Sequence, residues 1–305
     1  MPIVNASKNG LGYDFSGIFE QVGSLIKVGD IAIANLETTI TEYRDEYSGY
    51  SRFKSPVELV GNLKEAGFDV LTTANNHSYD NGDYGIETTI KVIEENKLYH
   101  TGTFIDSKDH LLIMDVKRLK IGIVSYTYGT NGLRADNDYM VNYIDKNNIK
   151  EDYEKLIEKE TDIQIISLHW GTEYQSKPDN FQMEIESFVR GLGFDIVLGS
   201  HPHVLQKITY DENYFGMYSM GNFLSNQRDG YKDLGVIVDL VIEKFSDEII
   251  IRSVKLIPTW VNKYDNGALA YKILPLTQNE GINFYLDQNE KEHIVKLLNH
   301  FYEVY

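Results

Sequence analysis

Short apolar runs, four to seven residues long, alternate with stretches of helical periodicity along most of the sequence. Runs of that length suit buried strands, and their interruption by helical patterns is the signature of an α/β fold. The strands expected are Ile31–Asn35, Val70–Ala74, Leu111–Val116, Ile121–Tyr126, Ile163–His169, Ile196–Gly199, Tyr214–Ser219 and Val236–Ile242. Helical patterns fall between them at Phe15–Lys27, Val57–Ala66, Tyr84–Glu95, Lys150–Lys159 and Asn180–Gly191. Two phrases, KEAGFDV from Lys64 and RGLGFDIV from Arg190, each read as a helix end, a glycine C-cap and a strand start. Beyond Gly235, β-branched alternation turning at Phe245–Glu248 predicts an antiparallel hairpin or meander, and Asn289–Tyr305 has the spacing of a closing helix. With 6 prolines and no long linker, residues 1–305 read as one domain that is β-rich from about 236 onward.

Charge and cysteine usage remove several functions. The 46 acidic and 29 basic residues leave a net charge of −17. A nucleic-acid surface needs a basic stripe, and anionic lipid repels such a chain, so neither partner is expected. No apolar run reaches the roughly 18 residues of a membrane span. The opening MPIVNASKNG has neither a basic patch nor an apolar stretch, so any anchor is expected outside this sequence. Cysteine is absent, which excludes disulfides, thiolate nucleophiles, zinc ribbons and iron–sulfur clusters. Zero cysteine suits an oxidising exterior and many cytosolic proteins alike. A bound metal must therefore use His, Asn, Asp or Glu, which points to hydrolytic or Lewis-acid chemistry.

Polar side chains with ligand chemistry stand directly after four of the expected strands, where α/β proteins place their ligands. GDIAIANLETT carries Asn35 and Glu37, and LTTANNHSYDNG carries Asn75, Asn76 and His77. IISLHWGTEY carries His169 and Glu173, and IVLGSHPHVLQ carries His201 and His203. Each fragment has a structural alternative: a satisfied core histidine, an Asn-Asn turn, a rigid His-Pro-His loop. Position tips the balance, since four of the 8 histidines follow strands directly. His110, His293 and His300 sit in surface-like contexts, and His100 is intermediate. Imidazoles with carboxylate and amide oxygens make a divalent-metal set. Asp80, Asn81 and Gly82 are expected to form the turn opening the helix at Tyr84, and Arg52 to be solvated or to meet an anion. Glu173, Tyr174 and Asn222 are expected beside the site.

In order, NLE, ANNHSYDNGDYGIETT, HTGT, LHWGTEY, GSHPHVLQ and YSMGNFLSNQ resemble the bacterial capsule-synthesis CapA/PgsA family, within the calcineurin-like metallophosphoesterase superfamily. The resemblance runs from about Tyr13 to Gln227. It implies a layered α/β-β/α sandwich with a metal site on loops at one edge. Glu37 matches the bridging carboxylate, Asn76 the amide ligand, His77 the adjacent catalytic acid, His169 the lone histidine, and His201 and His203 the final pair. The family's opening GDxM-type strand does not precede these motifs, so the first strand is expected to be missing. Pro2–Gly12 is then expected to be irregular, beside a sheet edge open to a second copy in a homo-oligomer.

The resemblance divides the ligands between two ions. One keeps only Glu37 and His203, whereas the other keeps Glu37, Asn76, His169 and His201. About one ion at most, of the Mn, Fe or Zn type, is therefore expected, with His203 free or hydrogen-bonded. The implied function is metal-dependent phosphoester hydrolysis in capsule or poly-γ-glutamate production, outside the cytoplasm and with a membrane-associated synthesis complex. A non-catalytic accessory protein binding a phosphate-bearing or polyanionic ligand is the alternative. A hydrolase of γ-glutamyl bonds would use the same residues. Sequence upstream of Met1 separates the first two, because a GDxM strand there restores the enzyme.

Overall fold

The computed structural model describes residues 12–107, 111–246, 248–265, 269–276 and 286–305. Apart from Gly12, the segment Pro2–Gly12 lies outside these residues, as does His110. The first part of the chain contains α1 (Ser16–Phe19), α2 (Gly23–Ile26), β1 (Ile33–Asn35), β2 (Thr39–Thr41), β3 (Lys54–Pro56), α3 (Glu58–Ala66), β4 (Val70–Thr72), α4 (Gly82–Glu95) and β5 (Tyr99–Thr101). The middle contains β6 (Leu112–Val116), β7 (Leu119–Thr127), α5 (Lys146–Glu158), β8 (Ile163–His169), α6 (Asn180–Leu192), β9 (Ile196–Ser200), β10 (Ile208–Tyr210) and β11 (Phe215–Met217). The end contains β12 (Leu234–Phe245), β13 (Glu248–Asp265), β14 (Leu269–Pro275) and α7 (Gln288–Val304).

Several boundaries differ from expectation for local reasons. The helix expected over Phe15–Lys27 is two four-residue helices, neither with a capping side chain. Gly23 stands at the break, where a helix-interior glycine would cost about 1 kcal/mol. Helix α5 begins at Lys146 and not Lys150, because the Asp145 carboxylate accepts from the Asn147 and Asn148 N–H groups at 2.8 and 3.1 Å. Strands β2, β3, β5 and β10 are three residues each, too short for alternation to register.

Strand pairing builds two facing sheets. β4 lies between β1 and β5, all parallel. The larger sheet runs β10-β11-β9-β8-β7-β6, parallel from β11 to β7 and antiparallel at both edges. β12, β13 and β14 form an antiparallel meander. Side-chain parity then sorts the layers. In β8, Ile163 and Ile165 join Val70 of β4 in the core between the sheets, while Ile166 and Leu168 pack under α5 and α6. In the smaller sheet Leu71 faces the other way, against Ile18 of α1, Val60 of α3 and Ile93 of α4. The result is helix, sheet, sheet, helix, the layered α/β-β/α sandwich that the sequence led one to expect. Leu234, Trp260 and Leu274 of the meander, with Leu297 and Phe301 of α7, enter the same inter-sheet core.

Both predicted glycine caps occupy the left-handed region, Gly67 at φ 114° and Gly193 at φ 116°. A Cβ at Gly193 would also overlap the Tyr153 hydroxyl. Gly193→Ala should therefore destabilise by about 1–3 kcal/mol in urea unfolding. Gly191→Ala, inside α6 with open space around it, should be neutral or stabilising by up to about 1 kcal/mol.

Candidate metal centre

Strand parity carries the ligand residues to one place. His169 ends β8 on the same face as Ile163 and Ile165, so its ring continues the inward row beyond the apolar core. Glu37 lies two residues past the end of β1, on the parity of Ile31 and Ile33. The two sheets meet just below, where Ser167 Oγ and Thr72 Oγ1 are 3.4 Å apart. Asn76 and His77 follow β4, and His201 and His203 follow β9. The parallel strands therefore discharge their loops at one edge.

The structure brings Glu37, Asn76, His169 and His201 together. His169 Nε2 is 2.9 Å from Asn76 Oδ1, 3.2 Å from His201 Nδ1 and 3.8 Å from Glu37 Oε1. One ligand atom each from Glu37, His169 and His201 fall within 4.8 Å of one another. His203 Nε2 lies 3.6 Å from the same oxygen, Glu37 Oε1. His77 is near enough for its charge to act on Glu37, His169 and His201. Arg52 is exposed.

Three of the four rings, those of His169, His203 and His77, have a hydrogen-bonding partner at Nδ1 that holds their orientation. His169 Nδ1 lies 2.9 Å from Ser200 Oγ, its neighbour across the β8–β9 register. His203 Nδ1 lies 2.9 Å from Asn222 Oδ1. His77 Nδ1 lies 2.7 Å from Asp80 Oδ2, which also accepts from the Phe53 N–H. The carboxylate expected merely to open a turn is thus a buried partner of His77, and Asn81 caps α4 without a side-chain bond. The spacing His-x-x-Asp was the available signal, since it puts both side chains on one turn.

Two further residues take roles that the sequence did not reveal. Asn75, fully buried, donates to Leu36 O at 2.8 Å and accepts from the His77 N–H at 3.0 Å, pinning the β1 and β4 loops together. Tyr128, just past β7, bonds the Asn76 side chain and lies parallel to the His169 ring at 6.4 Å. Two histidines read as surface-like have defined partners elsewhere. His293 Nε2 is 2.7 Å from the buried carboxylate of Asp233, and His300 stacks on Tyr231 at 3.8 Å.

Comparison with known proteins assigns the chain. The family model described as bacterial capsule synthesis protein PGA_cap matches residues 2–227. The chain belongs to this bacterial capsule synthesis protein family. Similar relatives are the capsule biosynthesis protein CapA of Bacillus anthracis, 29% identical over 236 residues, and the PGA biosynthesis protein CapA of Bacillus subtilis, 28% identical over 227 residues. The matches cover 72% and 69% of this chain but 56% and 57% of those proteins, so it spans just over half their length. Among solved structures, the NAD nucleotidase NadN of Haemophilus influenzae aligns over 95% of this chain and 56% of its own, with a TM-score of 0.52 at 16% identity. That likeness shows that the chain shares the fold of that protein.

The donor set in this capsule synthesis family member fits a divalent ion. Two imidazole nitrogens, a carboxylate oxygen and an amide oxygen face one another. Burial depresses the His169 pKa well below the usual imidazole range, with further lowering from His201, His203 and His77. Burial likewise takes His201 down to about 3, so both rings are neutral and offer lone pairs. Burial raises Glu37, which His203 and His77 partly counter and the Glu173 charge reinforces. His201 and His203 hold left-handed backbone, at φ 100° and 59°, a conformation costing about 1–3 kcal/mol that is concentrated at functional sites.

The histidine shifts set a pH dependence for the metal-free protein. Above about pH 6.5 both rings are neutral folded and unfolded, and they contribute no slope. As pH falls below that, the unfolded chain takes up protons that the folded site refuses, so stability declines toward the folded value near 3 for His201. Asp195, raised to about 6 by burial, works in the opposite sense, so the test is a difference. Subtracting the unfolding free energy of His201→Gln from that of the parent chain, between pH 7 and 4, should leave a term that falls with pH. Separately, Asn75→Ala should cost about 2–4 kcal/mol in urea unfolding, because it strands the buried His77 N–H and Leu36 carbonyl.

Proposed function

We propose that this chain is the hydrolytic module of a capsule-synthesis protein, cleaving a phosphoester with a divalent ion held by Glu37, Asn76, His169 and His201. The observation that carries the reading is the approach of three atoms, from Asn76, His201 and Glu37, to Nε2 of buried, neutral His169. A bound ion of the Mn, Fe or Zn type would supply a polarised phosphoryl oxygen and an activated water. The chain's own groups do the rest. Asp80 occupies Nδ1 of His77, leaving Nε2 to carry a proton to the departing oxygen. Phe53, edge-on to that ring at 4.5 Å, keeps its orientation.

The relatives' names support a role in capsule production, and the one from Bacillus subtilis is named for PGA biosynthesis. The ligand is a phosphate-bearing or polyanionic molecule met outside the cytoplasm, at a membrane-associated synthesis complex. Among the described residues no helix is long and apolar enough to cross a membrane. The chain acts as one domain, since the meander and α7 share the inter-sheet core with the strands that carry the site.

Calorimetry with Mn²⁺ and turnover of an aryl phosphate test this reading. His169→Ala should abolish binding at this position. His77→Asn should keep it while lowering turnover about 100-fold or more, the usual worth of a general acid. Affinity should fall as pH drops through the raised pKa of Glu37, because a proton then competes for the carboxylate. Tight binding with no turnover of any phosphoester would instead support the accessory-protein reading.

A further inference from the structure

Aromatic side chains from three loops stand around the site histidines. On the loop between β2 and β3, Phe53 meets His77 edge-on and Tyr50 lies edge-on to Phe53 at 6.5 Å. Past the end of β7, Tyr128 tilts over His201 at 4.7 Å, and on the loop after β8, Tyr174 stacks on His203 at 6.0 Å. Tyr50 is 87% exposed, Tyr128 43% and Tyr174 47%. Single exposed rings are ordinary on a protein surface, whereas three gathered at one strand edge mark a binding surface. Tyr50 is near enough for its charge to act on Tyr174, which sets the two loops side by side.

Tyr174 is fixed in place before a ligand arrives. Its backbone is left-handed at φ 65°, which a bulky residue rarely adopts. Its N–H donates to Pro202 O at 2.8 Å, and Gln227 Nε2 donates to its hydroxyl at 3.3 Å. Burial and then the Glu173 charge raise its pKa, so the phenol stays protonated. The charge pattern disfavours an extended polyanion. Glu173 acts on Glu37, Tyr128 and Tyr174, and among the described residues one cation, Lys232, lies over these rings, 4.7 Å from that of Tyr174. A linear polyanion needs a row of cations. A sugar needs an aromatic face for its apolar C–H face and polar groups for its hydroxyls, and the tyrosines offer both.

We propose that Tyr50 and Tyr174 form a subsite that stacks the alcohol part of the substrate and selects phosphoesters of a sugar over those of a linear or acidic alcohol. The inference rests on the hydrolytic reading above, which puts the departing oxygen beside His77 and so beside Phe53 and Tyr50. In that step a water oxygen bonds to phosphorus and the bond from phosphorus to the sugar oxygen breaks. His77 gives the departing oxygen its proton, and the proton that the water loses restores His77. The products are phosphate and the free sugar.

The full chain loaded with Mn²⁺ should hydrolyse glucose 1-phosphate with a kcat/KM at least tenfold above that for glycerol 1-phosphate or phosphoserine, the difference lying in KM. Tyr50→Ala and Tyr174→Ala should each shrink that ratio about fivefold, the worth of one stacked ring, and Tyr50→Trp should restore it. Because Tyr50 is exposed, its variants should unfold at an unchanged urea midpoint. Saturation-transfer NMR with Zn²⁺ reads the same contact without turnover, on the ring protons of glucose 1-phosphate. Equal kcat/KM for the three esters, or a Tyr50→Ala variant that keeps the ratio, would overturn the subsite and leave the hydrolytic reading standing. A preference for adenosine 5′-monophosphate over glucose 1-phosphate would overturn the assignment to a sugar. Tyr50-dependent saturation transfer with no turnover of any phosphoester would overturn the hydrolytic reading and support the subsite. Neither turnover nor saturation transfer would overturn both.

Discussion

A neutral, buried imidazole surrounded by other lone pairs is the interaction on which this site depends. His169 is 1% exposed, and its Nε2 faces an amide oxygen, another imidazole and a carboxylate. Which ring nitrogens carry protons decides how the members pair, because buried polar groups need donors as well as acceptors. Burial disfavours a second proton on His169 and His201, so both rings stay neutral. The surroundings read as support for that arrangement. Ser200 and Asn222 hold His169 and His203, Asp80 holds His77, and Asn75 locks the two loops that bring Glu37 and His77 into register.

The sandwich makes this placement possible through parity. Residues on alternate positions of β8 divide between the inter-sheet core and the helix-covered face, so the ring at its end falls in line with the core. The larger sheet aims His169 and the His201–His203 loop, while the smaller sheet aims Glu37, Asn76 and His77. The site is therefore a product of two sheets that share no hydrogen-bonded ladder. Its geometry rests on apolar packing between Val70 and partners such as Ile121 and Ile163. Family membership and fold are established, and activity is a separate matter that the site's residues must decide.

Much of this was legible from the sequence alone. Apolar runs ending in polar residues marked β1, β4, β8 and β9 and the loops that follow, because a strand's period and a metal ligand's chemistry are both local properties. The glycine caps at Gly67 and Gly193 were legible for the same reason, since only local backbone conformation matters there. The lack of cysteine narrowed the ligand set to His, Asn, Asp and Glu by composition alone.

What only the tertiary structure decided is which side chains meet, whether their residues are near or far apart in the sequence. Asn76 and His169 are 93 residues apart, and nothing in either motif states that their atoms lie 2.9 Å from each other. Asp80 has the sequence context of a turn residue, yet its carboxylate is buried against His77. Glu173 has the context of a neighbour of the site, and the Tyr174–Pro202 bond is what brings its loop against His203. Asn222 acquires its role from Lys232 and Gln227, which orient its amide. Propensity and periodicity report on a residue and its immediate neighbours, whereas the partner of a buried hydrogen bond is set by packing between elements that the chain brings together only on folding.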